Sequence, residues 1–145
     1  MLTLKNAVSG AVLAMSISGS AMAHGHCDAT ALHEDMENLR TELKSLSFDL
    51  RSEDGSAAAG RVDSILAILK DAREETPFLF TQEGYEGAEL ESKMADYQSV
   101  MDDTIKVFMS VDDAIEAEDF GQAGSLLREA GNMRKKGHSA FKADC

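Results

Sequence analysis

Apolar residues in the first part of the chain recur at alternating steps of four and three. Leu32, Met36, Leu39, Leu43, Leu46 and Leu50 form this stripe without a miss. That spacing keeps them on one side of an α-helix, because 3.6 residues complete a turn. Glu34, Asp35, Glu37, Arg40, Glu42 and Lys44 fill the positions between and cover the opposite side. Asp28 or Thr30 is placed to cap the helix start, and Ser52-Glu53-Asp54-Gly55 breaks the pattern.

Three further helical stretches follow. Val62, Ile65, Leu66, Leu69 and Ala72 predict a second helix over about 57–75. Thr76-Pro77 ends it, since the residue before proline avoids helical backbone angles. Residues 77–88 hold Phe78, Leu79, Phe80, Gly84 and Gly87, and read as a loop held down by its aromatics. A third helix over about 88–117 carries Leu90, Met94, Tyr97, Met101, Ile105, Phe108 and Ile115, with Val100, Val107 and Val111 widening the face. After a break near Asp119-Phe120-Gly121, a fourth carries Leu126, Leu127, Ala130, Met133, His138 and Phe141. Four such helices with short connections pack as neighbours in alternating directions. The predicted fold is all-α, an antiparallel up-down-up-down four-helix bundle.

Composition agrees with that fold. The chain has one Pro, no Trp and two Tyr among 145 residues, whereas a β-domain draws on aromatics, β-branched residues and turn prolines. A net charge of −12 excludes a simple electrostatic grip on nucleic acid or anionic lipid. It favours redox or binding partners with basic docking surfaces.

Residues 1–23 do not belong to the bundle. Lys5 precedes an uncharged run through Val8, Ala11, Val12, Leu13, Ala14, Met15 and Ile17, which closes on Ala21-Met22-Ala23. A positive start, a short apolar core and an Ala-x-Ala exit describe a secretory signal peptide. The run is too short for a membrane span and no second one follows. The expected organisation is a signal peptide over 1–23 and the bundle over 24–145, exported to the periplasm as a soluble monomer. An up-down-up-down bundle returns its last helix to the end where the first begins. Cys27 and Cys145 therefore meet at one end, and in an exported protein they are expected to form a disulfide. In the chain-entropy account such a long closed loop contributes about 4 to 5 kcal/mol.

The same end carries two soft donors, Met36 on the first helix and His138 on the fourth. A thioether and an imidazole facing one another can hold a haem iron from both axial positions, which suits electron transfer. Taken alone they also read as core filler and as a helix-end residue. His33, one turn before Met36, is a rival donor that reads as solvent-facing. No Cys-x-x-Cys-His occurs, so a haem would be held without covalent bonds.

Leu32-His33-Glu34-Asp35-Met36-Glu37-Asn38-Leu39 resembles the first helix of the soluble periplasmic cytochrome b562 family. The resemblance continues through Ala72-Arg73-Glu74-Glu75-Thr76-Pro77 and Val111-Asp112-Asp113-Ala114-Ile115. It ends in Arg134-Lys135-Lys136-Gly137-His138 and covers about residues 29–142. It implies one b-type haem per chain, with Met36 and His138 as axial ligands, in an electron carrier rather than an enzyme. Arg134, four residues before His138 on the same helix face, would pair with a haem propionate. The chain departs from the family pattern at Val100 and Thr104, where aromatics usually pack on the porphyrin, and at Gly137, where a larger residue stands.

A different function is also open. Cleavage after Ala23 would leave His24-Gly25-His26 at the new terminus. A free amine, two backbone amides and the His26 imidazole form a square-planar chelate for Cu(II) or Ni(II), with His24 adding a nitrogen. The remaining alternative is a haem-free bundle acting as a periplasmic binding or stress protein.

Overall fold

The computed structural model describes residues 29–144. The expected signal peptide over 1–23, the copper or nickel donors His24 and His26, the alternative cap Asp28 and the expected Cys27–Cys145 disulfide lie outside the described residues. Five helices follow in order: α1 (Ala31–Arg51), α2 (Gly55–Glu74), α3 (Phe78–Glu83), α4 (Gly87–Glu116) and α5 (Phe120–Phe141). The four long ones form the expected antiparallel bundle, and no strand occurs among the described residues.

Side-chain caps set three of the long-helix starts. Thr30 accepts from the His33 amide at 3.1 Å, so Thr30 caps α1. Asp54 does the same for Ala57 at 3.0 Å and Asp119 for Gln122 at 2.9 Å. Asp54 moves the start of α2 forward to Gly55, two residues before the apolar pattern begins.

The connection over 77–88 is not simply a loop. Phe78–Glu83 is a six-residue helix, preceded by Pro77 and stopped by Gly84 at a positive φ of 72°. Proline before a helix and a left-handed glycine after it are ordinary boundary residues. The aromatics do hold the segment down. The Phe80 ring lies 5.7 Å from that of Tyr85 and 6.1 Å from that of Phe141, and Tyr97 meets Phe141 edge-on at 5.4 Å. This cluster fastens the end of α5 to α3 and α4.

Around the bundle α1 packs on α2, α2 on α4 and α4 on α5, while the α5–α1 seam that closes the ring is much the least populated. Leu46, Ala58, Val62, Ile65, Leu69, Phe108 and Val111 are fully buried between the first three pairs. Ion pairs reinforce them. Arg61 of α2 reaches Glu42 and Asp49 of α1, and Arg73 of α2 grips both carboxylate oxygens of Asp102 on α4 at 2.6 and 3.0 Å. Among the described residues no ion pair crosses from α5 to α1.

Candidate functional site

The α1 stripe is not buried evenly. Leu46 and Leu50 are buried, whereas Leu32, Met36, Leu39 and Leu43 are only half-buried, although all six share one helix face. Packing on α2 alone leaves that half of the face partly open. The residues opposite on α5 behave similarly: Met133, Gly137 and His138 are half-buried and Gly131 is exposed. A methyl group added at Gly131 would have no heavy atom within 4 Å. The seam is therefore loose along the stretch that carries Met36 and His138.

Both residues lie toward the same end of the bundle. Asp35, beside Met36, exerts its charge on Tyr97 of α4. The Tyr97 ring in turn contacts Phe141, three residues beyond His138. Tyr97 is held there by its hydroxyl, which donates to the Ala72 carbonyl of α2 at 2.5 Å. Burial pushes the phenol upward in pKa, and the carboxylates of Asp35 and Glu75 add to that.

His138 is pushed the other way. Burial disfavours its charged form, and the nearby Arg134 and Lys142 add repulsion, so its pKa falls below the ordinary histidine value. The neutral imidazole keeps a lone pair free for a metal. The backbone carbonyl of His138 accepts from the Lys142 amide at 3.1 Å, which closes the last turn of α5. Arg134 is exposed and forms no ion pair among the described residues. His33 is exposed, as its sequence position suggested.

The positions that depart from the family pattern gather at this same place. Val100 of α4 lies against Gly137, where an added Cβ would stand 3.7 Å from a Val100 methyl, an ordinary contact. The Thr104 hydroxyl is taken up by its own helix, donating to the Val100 carbonyl at 2.8 Å. Tyr97 and Phe108, the aromatics of α4, are both core residues.

On α2 and α4, Arg61, Arg73 and Lys106 are paired with carboxylates. Lys93 sits over the Tyr85 ring at 5.5 Å. On the helices that border the seam, Lys44, Arg51, Arg134, Lys135 and Lys142 form no ion pair among the described residues. Lys44 and Arg51 are seven apart on α1. Arg128 and Lys135 of α5 and Lys142 at its C-cap repeat every seven. A seven-residue step returns to nearly the same face of a helix. Arg51 and Arg128 line one cleft, so cations flank the seam at that end; two steps back on the α1 row, beside Met36, stands the acid Glu37. The α5 side of the seam thus carries a basic strip on an acidic protein.

The cytochrome b562 family model matches residues 31–142, which is nearly all of the described chain. The chain belongs to the cytochrome b562 family. That membership makes it a haem-binding protein of the electron-carrier type. No curated protein and no solved structure matches the chain significantly. No helix among the described residues is long and apolar enough to cross a membrane.

The donor set along the seam fits a haem of this family. It offers a thioether, a neutral imidazole, half-buried leucines for the porphyrin faces and an unpaired guanidinium near the histidine. Sequence reasoning treated the α1 stripe as uniform core and did not anticipate the basic strip. The seven-residue spacing of Arg128, Lys135 and Lys142 was the signal for the strip. The partial burial of Leu32, Leu39 and Leu43 had none, because it depends on how closely α5 approaches.

Proposed function

We propose that this protein is a periplasmic electron carrier holding one non-covalent b-type haem in the α1–α5 seam, with Met36 and His138 as the axial ligands. The observation that carries the reading is the loose seam itself. Met36 and His138 stand half-buried on two neighbouring helices that pack sparsely against each other, toward one end of the bundle. Bound there, the haem supplies a one-electron couple, and Met/His ligation raises its potential.

The protein supplies the surroundings. His138 offers a neutral nitrogen, and Met36 offers a soft sulfur that does not titrate. Leu32, Leu39 and Leu43, half-buried against the core, would shield a bound haem from water on the α1 side. Arg134 would neutralise a propionate at the mouth, as a guanidinium does for a carboxylate. Held by both Met36 and His138, the iron would have no position left for substrate, so the reading is of a carrier and not of an enzyme. The residues over 1–23 are proposed to direct export, and the chain to act as a monomer.

The net charge would steer basic partners from a distance. Contact at the seam, however, would meet cations, so a partner docking on the haem edge would present local negative charge. The unpaired cations of α1 and α5 support this assignment.

Haem titration of three proteins tests the reading. The unaltered chain should take up one equivalent and give a six-coordinate, low-spin spectrum. Met36→Leu should still bind haem but lose the low-spin reduced spectrum, and His138→Ala should bind much more weakly. If Met36→Leu reproduces the unaltered spectrum, Met36 is not a ligand.

A further inference from the structure

The seam opens a second time at the other end of the bundle, away from Met36 and His138. There a cleft of about 430 Å³ lies between the end of α1 and the start of α5. Leu50, Phe120 and Leu127 give it an apolar lining, and Arg51 and Arg128 stand beside them on opposite helices. No carboxylate lines it. The volume falls within the range of small-molecule sites, about 300–1,000 Å³.

Three features shape this open cleft. The Phe120 ring is seated against Gly55 at the start of α2, where an added Cβ would come within 3.5 Å of it. Gly124 lines the cleft in the middle of a helical turn, and nothing lies within 4 Å of the place its Cβ would occupy. Arg51 forms no ion pair among the described residues, and Arg128 donates only to the Ser125 hydroxyl, at 2.8 Å. Two guanidiniums beside an apolar wall, in a chain with nearly twice as many acids as bases, lack the counter-charge found at Arg61 and Arg73. A bound anion would supply it.

We infer that this cleft binds an amphipathic carboxylate, its apolar body against Leu50, Phe120 and Leu127 and its headgroup between Arg51 and Arg128. The site is independent of the haem reading, since neither Met36 nor His138 takes part.

Decanoate is a suitable probe, titrated below its micellar range into isotope-labelled protein with backbone amide shifts as the readout. Saturable shifts centred on Leu50, Phe120 and Gly124 are expected. Arg51→Gln with Arg128→Gln should weaken binding by about tenfold or more, the loss of well-formed charge-assisted contacts. Both arginines are exposed, so the fold does not depend on them. Gly124→Leu, which fills the cleft with a better helix former, should abolish binding without unfolding the chain. Met36→Leu should bind decanoate as the unaltered protein does. Three results would overturn the inference: shifts centred on Met36 and His138, unchanged affinity in the double arginine variant, or no saturation.

Discussion

Tyr97 joins three helices at the end of the bundle that carries the candidate ligands, and its removal has a calculable signature. The residue is 5% exposed, its hydroxyl donates to the Ala72 carbonyl, and its ring meets Phe141. Tyr97→Phe keeps the ring and deletes the hydrogen bond. A net hydrogen bond contributes about 0.5–1.5 kcal/mol. The lower half of that range applies here, because the Ala72 carbonyl still accepts from the Glu75 amide at 3.2 Å. At pH 8 the variant should therefore be less stable by about 0.5–1 kcal/mol. The hydroxyl has the opposite effect in alkali. The folded phenol is raised well above its ordinary value near pH 10, so between those limits the unfolded chain loses a proton that the folded chain keeps. Stability from this group is complete below about pH 10 and declines above it. At pH 11 the decline amounts to about 1.4 kcal/mol for the unaltered protein and nothing for the variant. The two stabilities should cross near pH 10.5 and reverse by pH 11. Urea unfolding followed by circular dichroism, with both proteins in the same haem state, measures the gap at each pH. A gap that stays constant from pH 8 to 11 would refute the reasoning.

Other perturbations have simpler outcomes. Phe80→Ala removes a ring that is 2% exposed and touches Tyr85 and Phe141. It should cost about 3–5 kcal/mol in thermal unfolding and loosen the end of α5 enough to weaken haem uptake. Gly131→Ala places a methyl in open space within α5 and should stabilise by about 1 kcal/mol, a rise in Tm of about 4 °C. Oxidation of the haem-loaded, reduced protein by an anionic hexacyanide complex should slow as salt is added, because the seam presents cations. Acceleration by salt would mean that the net negative charge governs the encounter.

The bundle was legible because its signals are local. An unbroken stripe over Leu32–Leu50, polar breaks and capping residues define the helices before any tertiary contact is known. The short helix over Phe78–Glu83 was read as a loop because its apolar residues are consecutive and two glycines follow. Pro77 and Gly84, which bound it, are visible in the sequence but signal only a break in the pattern. The site was legible in part. Met36 and His138 stand on helices that the topology makes neighbours, but which half of the α1 stripe lies open depends on α5. Gly131 shows the same limit: a glycine in a helix is equally a defect or a space, and only the neighbours decide. The cationic row of α5 is hidden from the sequence for a related reason. Net charge sums the whole chain, whereas carboxylates on α1 and α4 absorb Arg61 and Arg73 and leave Arg134, Lys135 and Lys142 unpaired beside one seam.

The most direct test is the absorption spectrum of the haem-loaded protein, oxidised and then reduced, beside that of Met36→Leu. The account predicts a sharp Soret band and narrow visible bands of a six-coordinate low-spin haem in the unaltered protein, with the reduced low-spin bands lost in the variant. A chain that leaves added haem with the spectrum of free haem, or a variant whose reduced spectrum is unchanged, would contradict it.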